Sequence, residues 1–484
     1  MKIKNLNLIK KIPGPKPLPI IGNLLDLLVT NEELFEVIAK YGKIYAPIFR
    51  LILGFHSAIF ISSPEDIQII VSGVKHLNKN NLYIPLSTWL ETGLLTSEGN
   101  KWHNRRKLLT PAFHFNILQQ FSSTFIEKTE NMLEEIEAVV NQSVDVIPLA
   151  TKYTFSMVCE TAMGANASPS HIDRYREAVL MMGKIAVHRI VRLWFHNPVM
   201  YLFSPNFYRG ILTSRLLHKY SSELIKKREE TFDTDSIFFE SLKQADNNSE
   251  YVYSSKKRLA MLDVLLYAKN TEKNIDDQGI REEVDTFVFE GHDTTSSCLA
   301  FTLMLLACNK HIQDKVVEEL SELLPNKSDK MTFNILNDMK YLERVIKESL
   351  RLYPSVPMFG RLTSEIVKTH SGYELPVNSQ VMIRVYDMHR NPNIYPDPEK
   401  FDPDRFLPEN IKARHVFSYL PFSAGPRSCI GQKFALLELK AMLCGIMRHF
   451  EVLPVDTPET IRLITDFILH PTDGIRVKFV QRIY

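Results

Sequence analysis

The chain has little cysteine, no long apolar run and almost no net charge. Five cysteines, Cys159, Cys298, Cys308, Cys429 and Cys444, are spread over 484 residues, too few and too scattered for a disulfide framework. They read as reduced thiols in a cytosol-facing protein, four of them small buried apolar residues and one a ligand. A net charge of +2 argues against a nucleic-acid partner. No Gly/Ser-rich spacer, low-complexity run or repeat of solenoid period divides the sequence. A length that as a prior suggests three units therefore reads as one domain over residues 24–484, preceded by a basic and proline-rich stretch over 1–23. Contents of 45% hydrophobic and 24% charged residues suit a globular core.

What is present is mainly helical. Asn31–Lys40 reads as a short helix, and Ile44–Leu53 and His56–Ser62 as a hairpin around Gly54. Pro64 opens a helix at its favoured first turn. Helical periodicity marks Ile280–Cys308, Met339–Leu352 and Gln432–His449, and β-like pieces recur near Gln380–Val385 and at the C-terminus. The expected class is mainly α with a small β-rich subdomain.

Cys429 lies in Phe422-Ser423-Ala424-Gly425-Pro426-Arg427-Ser428-Cys429-Ile430-Gly431, a glycine-bounded turn with a guanidinium two residues before the thiol. With no Cys or His nearby, zinc spacing is absent. A lone thiolate suits one axial position of a haem iron, although most lone cysteines are merely structural. Phe-x-x-Gly-x-Arg-x-Cys-x-Gly resembles the haem-binding signature of the cytochrome P450 superfamily, a pattern expected by chance in roughly one chain in ten thousand of this length. The resemblance runs from the proline-rich segment to the C-terminus and implies the cytochrome P450 fold, with Cys429 as iron ligand and Phe422, Gly425 and Arg427 around the haem.

Other motifs match the same family. Glu348-Ser349-Leu350-Arg351 puts a carboxylate and a guanidinium on one helix face, and with Arg405 resembles the family's Glu/Arg/Arg lock, a structural triad that needs mutual pairing if buried. Trp102 and Arg106, four apart, match a propionate-contacting pair, as do Arg361 and Arg427; guanidinium suits carboxylates. Taken singly, each arginine reads as a solvated surface charge.

Glu283 to Thr295 reads as an apolar helix broken by Gly291, where a flat ligand or O2 can approach the backbone. Asp293 and Thr294 form an acid–alcohol pair suited to proton relay. The stretch resembles the fatty-acid ω-hydroxylase branch (family 4), with Val288 where methionine is usual. That branch implies a haem ester through Glu290. The implied activity is monooxygenation of a fatty acid or other apolar small molecule with O2. Alternatives are a haem-thiolate isomerase or dehydratase, which predicts a degraded acid–alcohol pair, and a non-catalytic haem sensor.

Substrate contacts by resemblance come from the region before Trp102, from Val191–Tyr208, from Val356–Phe359 and from Phe467–Leu469, all mostly apolar. No Gly-x-Gly-x-x-Gly follows a strand, so electrons come from a separate protein; the resemblance implies NADPH-cytochrome P450 reductase, with cytochrome b5 as a further donor. Lys101, Arg105, Lys107, Lys433 and Lys440 form a candidate docking patch.

The N-terminus has lysines around a few apolar residues up to Lys11, far short of the roughly 20 apolar residues of a membrane span and too short in its apolar part for a signal peptide. The segment Pro13 to Asn23 resembles the proline-rich hinge after the anchor of microsomal members. Two readings stay open: a cut chain start, which is favoured, or peripheral attachment to the cytosolic face of the endoplasmic reticulum membrane. Aromatic Val191–Tyr208, interrupted by Pro198 and Pro205, either lies at the membrane interface or packs internally.

Overall fold

The computed structural model describes residues 3–166, 169–232, 259–326 and 328–482; Met1 and Lys2 of the basic start lie outside them. Its axis is the helix Asp277–Cys308. That helix is buried on nearly every face, from Ile280 and Val284 to Phe301 and Leu305, as expected of a helix apolar all round. Around it pack Val146–Thr161, Pro205–Glu229, Lys340–Leu352 and Gln432–His449.

The helix is not broken at Gly291; it runs through without interruption. The glycine serves a different need. A Cβ there would lie 2.8 Å from Val158 Cγ2, so its absence lets Val146–Thr161 pack tightly across the axis.

The β-rich part holds a four-stranded sheet in the order Ile48–Leu53, His56–Ile61, Gln380–Arg384, Met358–Leu362. Its middle pair is parallel, with Ala58 opposite Gln380, and the flanking pairs are antiparallel. The first strand begins at Ile48 rather than Ile44 because the preceding helix continues to Tyr45. A capping box starts that helix: Glu33 N–H donates to Thr30 Oγ1 and Thr30 N–H to Glu33 Oε2. Ser63 caps the helix Pro64–Val71.

The proline-rich segment is docked on this sheet. Arg50 N–H donates to the Pro13 carbonyl at 2.8 Å and Asn23 N–H to that of Ile52 at 2.6 Å. Ile9 and Ile12 join the apolar cluster under the strands. No helix among the described residues is long and apolar enough to cross a membrane.

Val191–Tyr208 breaks at its prolines into two short helices, Leu193–His196 and Pro198–Leu202, and the start of the long helix Pro205–Glu229, with Asn197 and Ser204 as caps. Tyr201 is buried, while Val199 (62% exposed) and Phe203 (82%) face outward. Phe55, 84% exposed, belongs to the same side, since its neighbour His56 has its ring 6.3 Å from that of His196.

Candidate active site

The thiol loop follows from backbone constraints. Gly425 lies at φ 70° and closes against the Val71 carbonyl, where any Cβ would collide; Ser423 is also left-handed. A tight turn over Gly425–Arg427 follows. Cys429 N–H donates to the Phe422 carbonyl at 2.9 Å, and Arg106 Nη1 to that of Ser428 at 2.8 Å. Cys429 therefore stands just before the N-terminus of Gln432–His449, the positive end of that helix. Its Sγ has free surface, yet that surface opens onto an internal cavity of about 250 Å3. Burial and the charge of Glu290 push this thiol up to about 11, against the pull of the Gly431 N–H and Arg106. A metal cation at the sulfur reverses that balance.

Four cations line the cavity: Lys79, Arg106, Arg361 and Arg427. Among the described residues none of them has a carboxylate within ion-pair distance; Glu290 acts on Lys79 and Arg106 from farther off, and Glu98 on Arg427. Burial pulls Lys79 well down, and the guanidiniums of Arg361 and Arg427 add to the effect. Arg361 is also pulled down by burial; it donates to the Gly360 carbonyl and to Ser423 Oγ. Arg427 ties the thiol loop to the carbonyls of Leu77, Leu94 and Ser97 and stacks 4.4 Å from the Trp102 ring centre. A row of cations, Arg361 and Arg427 buried and Lys79 and Arg106 half-buried, with no anion in ion-pair contact, calls for a ligand with carboxylates. Haem fits: two propionates for the cations, apolar walls for the ring and a thiol for the iron. Lys79 is the member that sequence reasoning missed. It stands in no motif, and its only advance signal was its place before Trp102.

The opposite wall is the axial helix. Glu290, Gly291, Thr294 and Thr295 line the cavity. Burial pushes the Glu290 carboxyl up to about 7 despite Lys79 and Arg106. Thr294 Oγ1 donates to the Glu290 carbonyl at 2.7 Å. Asp293 does not line the cavity; it faces the other way, with Oδ2 3.5 Å from His470 Nε2. Of the expected substrate contacts, Leu82, Leu86 and Leu94, then Val356, Met358 and Phe359, then Phe467 and Ile468 line the cavity. No residue of Val191–Tyr208 does; Pro198, Val199, Tyr201, Leu202 and Phe207 border a second cavity of about 230 Å3.

Within the lock Glu348 and Arg351 are fully buried, and Arg405 is partly so. Arg351 pairs with Glu348 through two bonds of 2.6 and 2.8 Å, and Arg405 Nε approaches Glu348 at 3.4 Å. Arg351 also donates to the carbonyls of His389, Pro398 and Lys400. The docking patch needs correction. Lys440 is buried on Glu343 at 2.7 Å and Arg105 is buried 3.6 Å from Glu283. Both lie on helix faces that turn inward, so Lys101, Lys107 and Lys433 remain exposed, and Lys101 is held by Glu282.

Comparison with known proteins agrees with this geometry. The family model described as Cytochrome P450 matches residues 12–479. Cytochrome P450 4c3 of Drosophila melanogaster is 40% identical, covering 98% of this chain and 90% of that protein. Cytochrome P450 4V2 of Homo sapiens is 37% identical over 96% of this chain and 88% of that protein. Cytochrome P450 4d2 of Drosophila melanogaster is 35% identical over 97% and 94%.

Proposed function

The chain belongs to the cytochrome P450 family, and from that premise we propose that this haem-thiolate monooxygenase hydroxylates a fatty acid or a similarly apolar small molecule. Electrons would come from NADPH through a separate reductase. The supporting observation is a cavity whose walls beyond the cation row are mainly Leu, Val, Ile, Met and Phe, with few polar side chains among them, Tyr83, Glu290, Thr294 and Ser355 included.

The bound haem supplies O2 binding and activation. The chain's residues do the rest. Cys429 is the iron ligand, presented by Gly425 and Arg427. Lys79, Arg106, Arg361 and Arg427 hold the propionates, with Trp102 stacked beneath Arg427. Thr294 keeps a hydroxyl at the cavity wall, where it passes protons. Asp293 joins this relay only after leaving His470. Apolar walls exclude water and so suppress side reactions with it.

Glu290 is the tether candidate. Its carboxyl lines the cavity and would form an ester with a methyl of the bound haem, with O2 as the oxidant that the C–H to C–O exchange requires. Residues 24–484 act as one catalytic domain. The exposed apolar side around Phe55, Val199 and Phe203 rests on the cytosolic face of the endoplasmic reticulum membrane.

The experiment is NADPH consumption by purified enzyme with NADPH-cytochrome P450 reductase and a panel of fatty acids. Substrate-dependent consumption with a hydroxylated product supports the reading. Hydroxylation of terpenoids or drugs but no fatty acid would move the substrate class elsewhere.

A further inference from the structure

Phe467 has φ 124°, a backbone region that L-residues rarely adopt and hold only when their surroundings over-determine it. It sits at the tip of a hairpin formed by Leu463–Thr465 and Leu469–Pro471. Phe467 and Ile468 face the cavity. What holds the tip lies on the hairpin's other side, away from the haem machinery.

His470 Nε2 stands 3.5 Å from Asp293 Oδ2 and 3.7 Å from Asp466 Oδ1, with all three side chains nearly closed to solvent. Asp293 precedes Thr294 on the axial helix, and Asp466 precedes Phe467 at the tip. The Asp466 carboxylate occupies the space that a side chain at Gly183 would fill. Neutral bonds complete the attachment: Ser297 Oγ to the Leu469 carbonyl, Leu469 N–H to that of Ser355, and Ser355 Oγ to that of Thr294.

We propose that His470 is a positioning residue for the oxidation: as an imidazolium between Asp293 and Asp466 it clamps the hairpin tip to the oxygen-facing helix, and so fixes how Phe467 and Ile468 present substrate to Thr294. Burial opposes the charge, but Asp293 and then Asp466 outweigh it and push His470 up to about 9. Burial also works against Asp293, yet His470 takes it below the usual carboxylate range. Asp466 is pushed up to about 6, by burial first.

Among the described residues, the titratable groups beside Asp293 include His292 of the axial helix and Tyr175 of helix Pro169–Val191, whose rings meet. Burial pulls His292 down and Tyr175 well up, so both stay neutral and neither replaces the clamp. Gly183, from that same helix, brings no charge. A histidine raised in the folded state stabilises fully below its ordinary value near 6.5. That contribution fades as pH rises through 9. Below about 6 Asp466 takes up a proton and leaves Asp293 as the single charged partner.

The test uses haem-loaded enzyme and hydrogen exchange of the peptide covering residues 463–471, corrected for intrinsic base catalysis. The change in basicity corresponds to a few-hundred-fold preference at most, and solvent relaxation reduces it. His470→Gln is therefore expected to raise hairpin exchange at pH 7 by about 10- to 100-fold, with the rest of the protein and the reduced carbonyl spectrum unchanged. Wild-type enzyme shows the same loss only above pH 9. Equal protection in both proteins at pH 7 would overturn the clamp. Should His470→Gln not fold, the wild-type profile decides alone: constant protection up to pH 10 refutes it. With dodecanoic acid as probe, the variant spreads hydroxylation over more chain positions, and an unchanged distribution counts against the role. If the acid is not turned over at all, the substrate reading fails while the exchange result stands.

Discussion

Removing the Glu348 carboxylate is the sharpest test of what the lock contributes to the fold. Glu348 and Arg351 are both completely buried. The carboxylate accepts two bonds from Arg351, one from Asp402 N–H at 2.9 Å, and the charge of Arg405. Glu348→Ala leaves Arg351 buried with three carbonyls for company but no anion. Deleting one partner of such a pair costs about 3–5 kcal/mol, against a total stability of about 5–15 kcal/mol for a typical protein. Glu348→Gln keeps the volume and two polar atoms, so it costs less, about 2–3 kcal/mol. The assay is denaturant unfolding followed by circular dichroism, with the thiolate-type reduced carbonyl spectrum as a second probe. The alanine variant should lose that spectrum at a lower denaturant concentration than the glutamine variant, and both before wild type. An alanine variant within about 1 kcal/mol of wild type would show that the triad does not stabilise the fold.

Glu290→Ala should make haem fully extractable by acidified organic solvent; equal retention in the variant removes the tether. Thr294→Ala should divert a several-fold larger share of NADPH electrons into peroxide while leaving haem content intact, read as peroxide formed per NADPH, and unaltered coupling takes Thr294 out of the relay. Lys347 and Lys440 overcome burial and hold the Glu343 carboxyl down to about 2, from an ordinary 4.5. A depressed carboxylate stabilises above its unfolded value and loses that contribution as pH falls from 4.5 toward 2. Because burial weakens the Lys440 ammonium in the same pair, Glu343→Gln should cost about 1–2 kcal/mol at pH 7. Unfolding free energies of the two proteins should converge below pH 4.5, and a deficit constant with pH would contradict the pairing.

The sequence made the thiol loop, the lock and the axial helix legible because each is a local pattern. Cys429 needs its glycine two residues on and its arginine two residues before, and Glu348 and Arg351 share a helix turn. Legibility ended where function depends on residues that meet only in space. Lys79 belongs to no motif, yet it completes the cation row from a segment some 350 residues before the thiol. Asp293 looked like a partner of Thr294 because they are adjacent, but successive helix residues point about 100° apart, and Asp293 turns to His470 instead. Lys440 resembled a surface charge until its helix face was known. At Gly291 sequence gave the right residue and a wrong reason: the missing side chain lets another helix in rather than breaking its own.

The reduced carbonyl spectrum of Cys429→Ser, beside wild type at equal haem content, tests the central claim most directly. Loss of the thiolate-type band in the variant is the predicted result. A variant that keeps that band would mean that the sulfur of Cys429 does not bind the iron.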